Sequence, residues 1–261
     1  MRPVLARIAL LASVAACRPV NTSGAGTPTT SLLRTGDEIL SVMRTRYAGP
    51  RWYRTLTFVQ KSTYYGPDGT MLRSETWYET ASLPGRLRVD FGEPSHGNGV
   101  LYRSDSTYQM QGGRVTEARL GGNPLLTLGF DVYTQPQYRT ADQLQREDID
   151  LGPLRVDSLD GRRVYVVGAA RGDSTTNQFW VDAERLLFVR LIQTEAGRTR
   201  DIRFERYTEY ATGWVAEAVR VIVGGRTIFR EEYSQVRVNP AIDENLFMPE
   251  SWSSATHWYR Q

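Results

Sequence analysis

A mainly β domain is predicted, a meandering antiparallel sheet or barrel with an N-terminal helix and a helical insertion near its middle. Three observations lead there. From Arg51 onward, period-two patterns rich in β-branched and aromatic residues dominate, the mark of strands with one buried face. Turn signals recur about every ten to fifteen residues, the spacing of a meander rather than of βαβ units. A composition of 40% hydrophobic and 23% charged residues over 261 positions is that of a globular chain able to bury a core. No internal repeat or compositional break marks a second domain, so residues 35–261 are expected to fold as one.

In chain order, residues 1–16 come first. Arg2 and Arg7 form a positive region ahead of the short apolar stretch Ile8 to Ala16, the layout of a secretory signal and too short to cross a bilayer. Val14-Ala15-Ala16-Cys17 resembles the lipobox of bacterial lipoproteins. That resemblance implies cleavage before Cys17, acylation of its thiol and amine, and anchoring of the body in the membrane. Arg18 follows the cysteine where inner-membrane lipoproteins often carry Asp, which favours the outer membrane, facing the periplasm. Cys17 is the single cysteine, so no disulfide is expected. Residues 17–34 are rich in Ser, Thr, Gly and Pro and read as a flexible tether. Removal of Arg2 and Arg7 takes the formal charge from +3 to +1, which excludes a nucleic-acid argument from net charge.

Residues 36–47 carry Asp37 and Glu38 at the start, where a helix dipole favours acids. Ile39, Met43 and Tyr47 then fall on one stripe, and Ala48-Gly49-Pro50 ends it. Trp52 to Tyr65 reads as a long strand, Gly66-Pro67-Asp68-Gly69 as a turn, and Thr70 to Thr80 as the antiparallel return. Further strands are expected at 86–91, 98–103, 106–111, 153–158, 162–169, 176–182, 186–195, 198–210, 214–223 and 226–238. Pro124 to Tyr133 is apolar and starts with Pro after Asn123, and Thr140 to Ile149 has a polar helical character. Together they make the insertion, a helical cover packed on the sheet.

Several local phrases resemble the LolA/LolB-like proteins. They are Phe58-Val59-Gln60, Leu83-Pro84-Gly85-Arg86-Leu87-Arg88, and Phe179-Trp180-Val181-Asp182 before Leu186 to Arg190. The closing pair is Val236-Arg237-Val238-Asn239 and Asn245-Leu246-Phe247-Met248-Pro249. The resemblance covers most of residues 35–250. It implies a strongly curved, unclosed antiparallel barrel whose open mouth is covered by a short helical lid and whose cavity binds acyl chains. A lipid-anchored body is closer in layout to LolB, the receiving partner at the outer membrane. LolA's lid-contacting arginine has no single counterpart here. The hairpin Tyr64 to Leu72 is a candidate for LolB's apolar finger, although its tip is polar.

Catalytic and metal constellations are poor. Only His96 and His257 exist. His96 lies in a loop with no Gly-x-Ser-x-Gly elbow, and His257 in what reads as a frayed tail. No His pair has metal-ligand spacing, Glu147-Asp148-Asp150 lacks a calcium-loop pattern, and no cofactor motif occurs. Arg198, Arg200, Arg203 and Arg206 are interleaved with Asp201, Glu205 and Glu209, as expected of cross-strand ion pairs on a solvated face. The apolar interior is assigned to Trp52, Phe58, Trp77, Leu125, Leu126, Leu128, Phe130, Phe179, Trp180 and Phe204. These ten are the candidate walls of a lipid-sized cavity. The expectation is a non-enzymatic, monomeric lipoprotein that takes a lipid or an acylated protein. The alternatives are an envelope interaction or stress-sensing module with a filled core and, more weakly, a hydrolase.

Overall fold

The computed structural model describes residues 33–260. Cys17, the expected signal and the tether up to residue 32 lie outside these residues. Helix α1 (Gly36–Arg46) begins where Thr35 Oγ1 accepts the Glu38 N–H at 3.3 Å, satisfying one free donor of the first turn. It buries Ile39, Leu40 and Met43, the predicted stripe.

The first meander comprises β1 (Thr55–Tyr65), β2 (Met71–Ser82), β3 (Arg86–Phe91), β4 (Gly99–Arg103), β5 (Ser106–Gln111) and β6 (Arg114–Leu120). A cover follows, with α2 (Pro124–Gly129), a tight turn at Asp131–Tyr133 and α3 (Gln137–Arg146). The second meander runs through β7 (Leu154–Leu159), β8 (Arg162–Val167), β9 (Gln178–Asp182), β10 (Phe188–Glu195), β11 (Arg198–Glu209), β12 (Trp214–Val223) and β13 (Arg226–Val238). All thirteen strands form one antiparallel sheet in the order β6-β5-β4-β3-β2-β1-β13-β12-β11-β10-β9-β8-β7. The first and last strands of the chain therefore pair at its centre, and β6 and β7 are left as unjoined edges. The barrel is open, as the sequence resemblance implied.

Curvature has local causes. The β1–β13 register slips between Thr57 and Val59, opposite Gln235, which takes φ 51° inside its strand. The extra residue is a β-bulge that bends its strand and adds twist. Arg206 also takes a positive φ of 53° inside β11, but there the register is kept from Glu205–Ala218 to Tyr207–Ala216.

Four expectations are corrected. Strand β6 was not anticipated, because its seven residues are all exposed and carry no apolar alternation; it pairs with β5 and touches the segment Pro249–Ser251. The segment 124–133 is a six-residue helix and a separate turn, not one helix. The helix expected at 140–149 runs instead over 137–146, because Pro136 presets its start and Asp148 turns left-handed after its end. His257 is not in a frayed tail. The chain after β13 crosses the convex face of the sheet, where Leu246, Phe247 and Trp252 pack on Leu101 and Met110, and His257 is buried beyond them.

Candidate functional site

The concave face is filled along most of its length. Under α1 and the C-terminal part of the cover, Trp52, Tyr133, Phe188, Leu191 and Phe179 close the interior. Between β2, β3, β4, β13 and α2 the filling is incomplete, leaving a cavity of about 230 Å³. Its apolar wall includes Trp77, Leu87, Val89, Phe91 and Val100 from the sheet, Phe204 from β11, and Leu125, Leu126 and Phe130 from the cover. Trp77 and Phe91 lie 4.7 Å apart in a tilted pair. Five polar side chains join the wall: Glu79, Tyr102, Asn123, Glu231 and Tyr233.

The strand period explains the lining. On β2, Trp77 and Glu79 face inward while Tyr78 faces outward; on β13, Phe229, Glu231 and Tyr233 share the inner face while Glu232 pairs with Arg230 and Arg206 on the outer one. Of the ten residues expected to line a cavity, Trp77, Leu125, Leu126, Phe130 and Phe204 do so. Trp52, Phe58, Leu128 and Phe179 belong to the filled core. Trp180 stands on the opposite face, with Val164 and Val166 beneath the Arg190 guanidinium, because its neighbour Phe179 takes the inner face.

The cover is held unevenly. Its C-terminal part is pinned: Tyr133 Oη accepts the Phe188 N–H at 2.9 Å, Asp131 Oδ1 accepts the Gly85 N–H at 2.9 Å, and Arg44 Nε donates to the Gln135 carbonyl at 2.7 Å. Toward its N-terminal end, Asn123 caps α2 by accepting the Leu125 N–H at 2.9 Å, and Leu125 remains half-buried. Asn123, Leu125 and Tyr102 border both the cavity and an adjoining polar groove of about 480 Å³ lined by Arg119, Arg146, Glu147 and Gln193. A small outward shift of residues 123–126 would join the two.

Sequence reading passed over Glu79 and Glu231. The available signal was an acid standing at an inward position in an otherwise apolar alternation, two residues after Trp77 and two before Tyr233. Burial pushes the Glu79 carboxyl well above the ordinary range, with the Glu231 charge adding to it. Burial also raises Glu231 to about 7 against the opposing hydrogen bond of Tyr233. Asp131, buried under the cover, is raised by the same cause to about 7, partly offset by the Gly85 N–H and Arg139.

These groups hold protons in the folded state over a window, from about pH 4 to 7, in which unfolded carboxyls have released them. Stability is therefore greatest below the unfolded values and declines as pH rises through 7. Asp105 and Asp157, lowered by hydrogen bonds and neighbouring arginines, act in the opposite sense and lose their contribution only as pH falls below the usual carboxylate range. The melting temperature is expected to be about 5 °C lower at pH 8 than at pH 5. Glu231→Gln or Asp131→Asn should flatten the slope; a melting temperature that rises over this interval would contradict the assignment.

Other chemistry is sparse. Cross-strand ion pairs form between Arg190 and Asp201 at 2.7 Å, Arg200 and Glu195 at 2.7 Å, and Arg220 and Glu205, while Arg203 pairs with Asp201 within β11 at 3.1 Å. Glu147 ends α3 and accepts from Gln193 Nε2 at 2.9 Å. His96 is exposed. His257 Nε2 sits 3.1 Å from Asp90 Oδ2, while its Nδ1 accepts the Tyr259 N–H at 3.2 Å. Both ring nitrogens are thus occupied, leaving none to activate a hydroxyl. Among the described residues, no group of three His, Cys, Asp or Glu is placed to hold a metal. No described helix is long and apolar enough to cross a membrane.

No protein-family model and no curated protein sequence matches the chain. Solved structures do. A LolA superfamily protein from Nitrosomonas europaea is 14% identical, with 82% of this chain and 97% of that one covered and a TM-score of 0.51. An outer membrane lipoprotein-sorting protein domain from Vibrio parahaemolyticus is 12% identical over 84% of this chain and 98% of that one, with a TM-score of 0.51. A DUF1329 family protein from Desulfovibrio piger is 13% identical over 81% and 95%, with a TM-score of 0.52. At these identities the likeness is one of fold.

Proposed function

We propose that this chain is a non-enzymatic envelope lipoprotein that binds the acyl chain of a lipid or of a lipoprotein in its half-barrel, with residues 123–130 as a movable cover. The observation that carries the reading is the cavity itself: an apolar space on the concave face, closed by a helix rather than filled by it. At about 230 Å³ it is smaller than a typical small-molecule pocket of about 300–1,000 Å³, so a full acyl chain requires the cover to swing outward. The uneven pinning of the cover supplies that freedom at its N-terminal end. Each methylene taken from water into the aliphatic and aromatic wall contributes about 0.8 kcal/mol, and release needs a cover shift or a better site on a partner.

The fold shared with a lipoprotein-sorting domain supports this reading, and so does the lipobox-like Val14-Ala15-Ala16-Cys17. We assign acylation to Cys17, the tether to residues 17–34 and the working position to the periplasmic face of the outer membrane. The test is native mass spectrometry with lipid extraction on the full-length chain purified from a bacterial envelope. A stoichiometric acyl species is expected, lost when Leu126→Asp places a charge in the wall. A ligand-free mass together with no uptake of a fluorescent lipid would instead make the chain an envelope interaction module.

A further inference from the structure

The cavity floor is acidic where a lipid pocket calls for no charge. Glu79 is 7% exposed, borders the cavity, and has no hydrogen-bond or ion-pair partner among the described residues. Glu231 accepts one hydrogen bond, from Tyr233 Oη at 2.6 Å, which leaves its second oxygen available. Gln60, opposite Trp77 and Tyr233 in the register, donates to Ser62 Oγ at 2.8 Å while its Oε1 is buried without a partner. The cavity thus holds one carboxyl without a partner and a second with an oxygen to spare.

On the outer face the buried and half-buried carboxyls are matched: Asp90 has Arg88, Asp201 has Arg190 and Arg203, and Asp182 has Arg162. With 32 basic residues in the sequence, the absence of one beside Glu79 is a property of the site. A buried acceptor left unmatched costs free energy that a well-packed apolar residue would not, and the mismatch is relieved by a ligand that brings donors.

We propose that Glu79 and Glu231 make the cavity selective for an amphiphile with an amine at its polar end, the carboxyls taking the ammonium while the apolar wall takes the chain. This rests on the acyl-binding reading above and narrows it. The ammonium donates to Glu79 and to the second oxygen of Glu231 as charge-assisted hydrogen bonds in a water-poor space. Burial keeps protons on the two acids in the empty protein; the ammonium displaces at least one, so binding releases protons to solvent. A free fatty acid brings a third carboxyl to the same place and is disfavoured. A neutral alcohol binds through its chain alone.

The test is displacement of an environment-sensitive apolar dye from the full-length chain at pH 7 by dodecylamine, dodecanol and dodecanoate. Dodecylamine is expected to bind about tenfold more tightly than dodecanol, a gap of about 1.4 kcal/mol, and more tightly still than dodecanoate. Glu79→Gln combined with Glu231→Gln should reduce amine affinity about tenfold, to that of dodecanol, and leave dodecanol unchanged. Glu232→Gln, on the outer face of the same strand, should preserve the preference. An amine advantage that survives the double substitution, or is lost equally with Glu232→Gln, overturns the proposal, as does dodecanoate matching dodecylamine. If dodecanol binds and only the order fails, the carrier reading stands without this one. If none of the three displaces the dye, both fall.

Discussion

An Asp90→Ala variant is expected to lose about 3–5 kcal/mol of folding stability, the cost of breaking a buried ion pair from one side. Asp90 and Arg88 are 0% and 2% exposed at the side chain, joined by two 2.8 Å bonds from Nε and Nη2 to the two carboxylate oxygens. Arg88 also lies 3.8 Å over the Trp252 ring, and its Nη1 has no partner among the described residues. Without Asp90 the guanidinium keeps its charge in a dry site, with only the indole face to meet it. His257 loses the acceptor of its Nε2 proton, a role assigned from the Tyr259 N–H at its other nitrogen. Melting should fall by about 10 °C, and the tail beyond Pro249 should become susceptible to proteolysis first, because Trp252 and His257 are its anchors. Arg88→Met with Asp90→Leu removes both charges and should recover most of the loss. A single variant melting within about 3 °C of the parent would show that the network contributes little.

Trp52→Ala is expected to cost a similar 3–5 kcal/mol, as for a large aromatic cut from a filled core. The indole is 2% exposed and packs 3.8 Å from the Tyr133 ring, 4.9 Å from Tyr47 and 5.0 Å from Tyr53, centroid to centroid. It thereby joins the cover, the chain after α1 and the sheet. Gly213, at φ 91°, passes so near that a Cβ there would lie 2.8 Å from the indole, which leaves no slack for collapse. Trp77→Ala, at the partly open wall, should cost less than half as much and weaken amphiphile binding instead. Thermal melts and dye binding on both variants separate core from site. Equal destabilisation by the two would mean that the cavity wall is as tightly packed as the core.

The strands were legible because their physics is local. A side-chain period of two marks a half-buried strand whatever its partner, so β1, β2 and β10 to β13 stand within a few residues of where the alternation puts them. Strand β6 was hidden because both its faces meet solvent. The site was legible in part for the same reason. An inward apolar position reads the same whether it is packed, like Phe58 against Tyr233 at 4.2 Å, or bounds open space, like Trp77. Trp180 shows the complementary limit: an aromatic beside another aromatic on a strand must take the opposite face.

By itself the sequence determined the fold class, the strand period, the helix stripe Ile39-Leu40-Met43 and the cover at its place between two meanders. These depend on neighbours a few positions apart. Tertiary structure alone decided that β1 meets β13, that a bulge at Gln235 bends the sheet, and that the tail from Leu246 to His257 seals the convex face. It also decided which inward residues surround a void and that two carboxyls share its floor without an arginine. The reason is separation along the chain. Glu79 and Glu231 are 152 positions apart, and only the central pairing of the first and last strands brings them into one low-dielectric space, where burial and mutual repulsion change their chemistry.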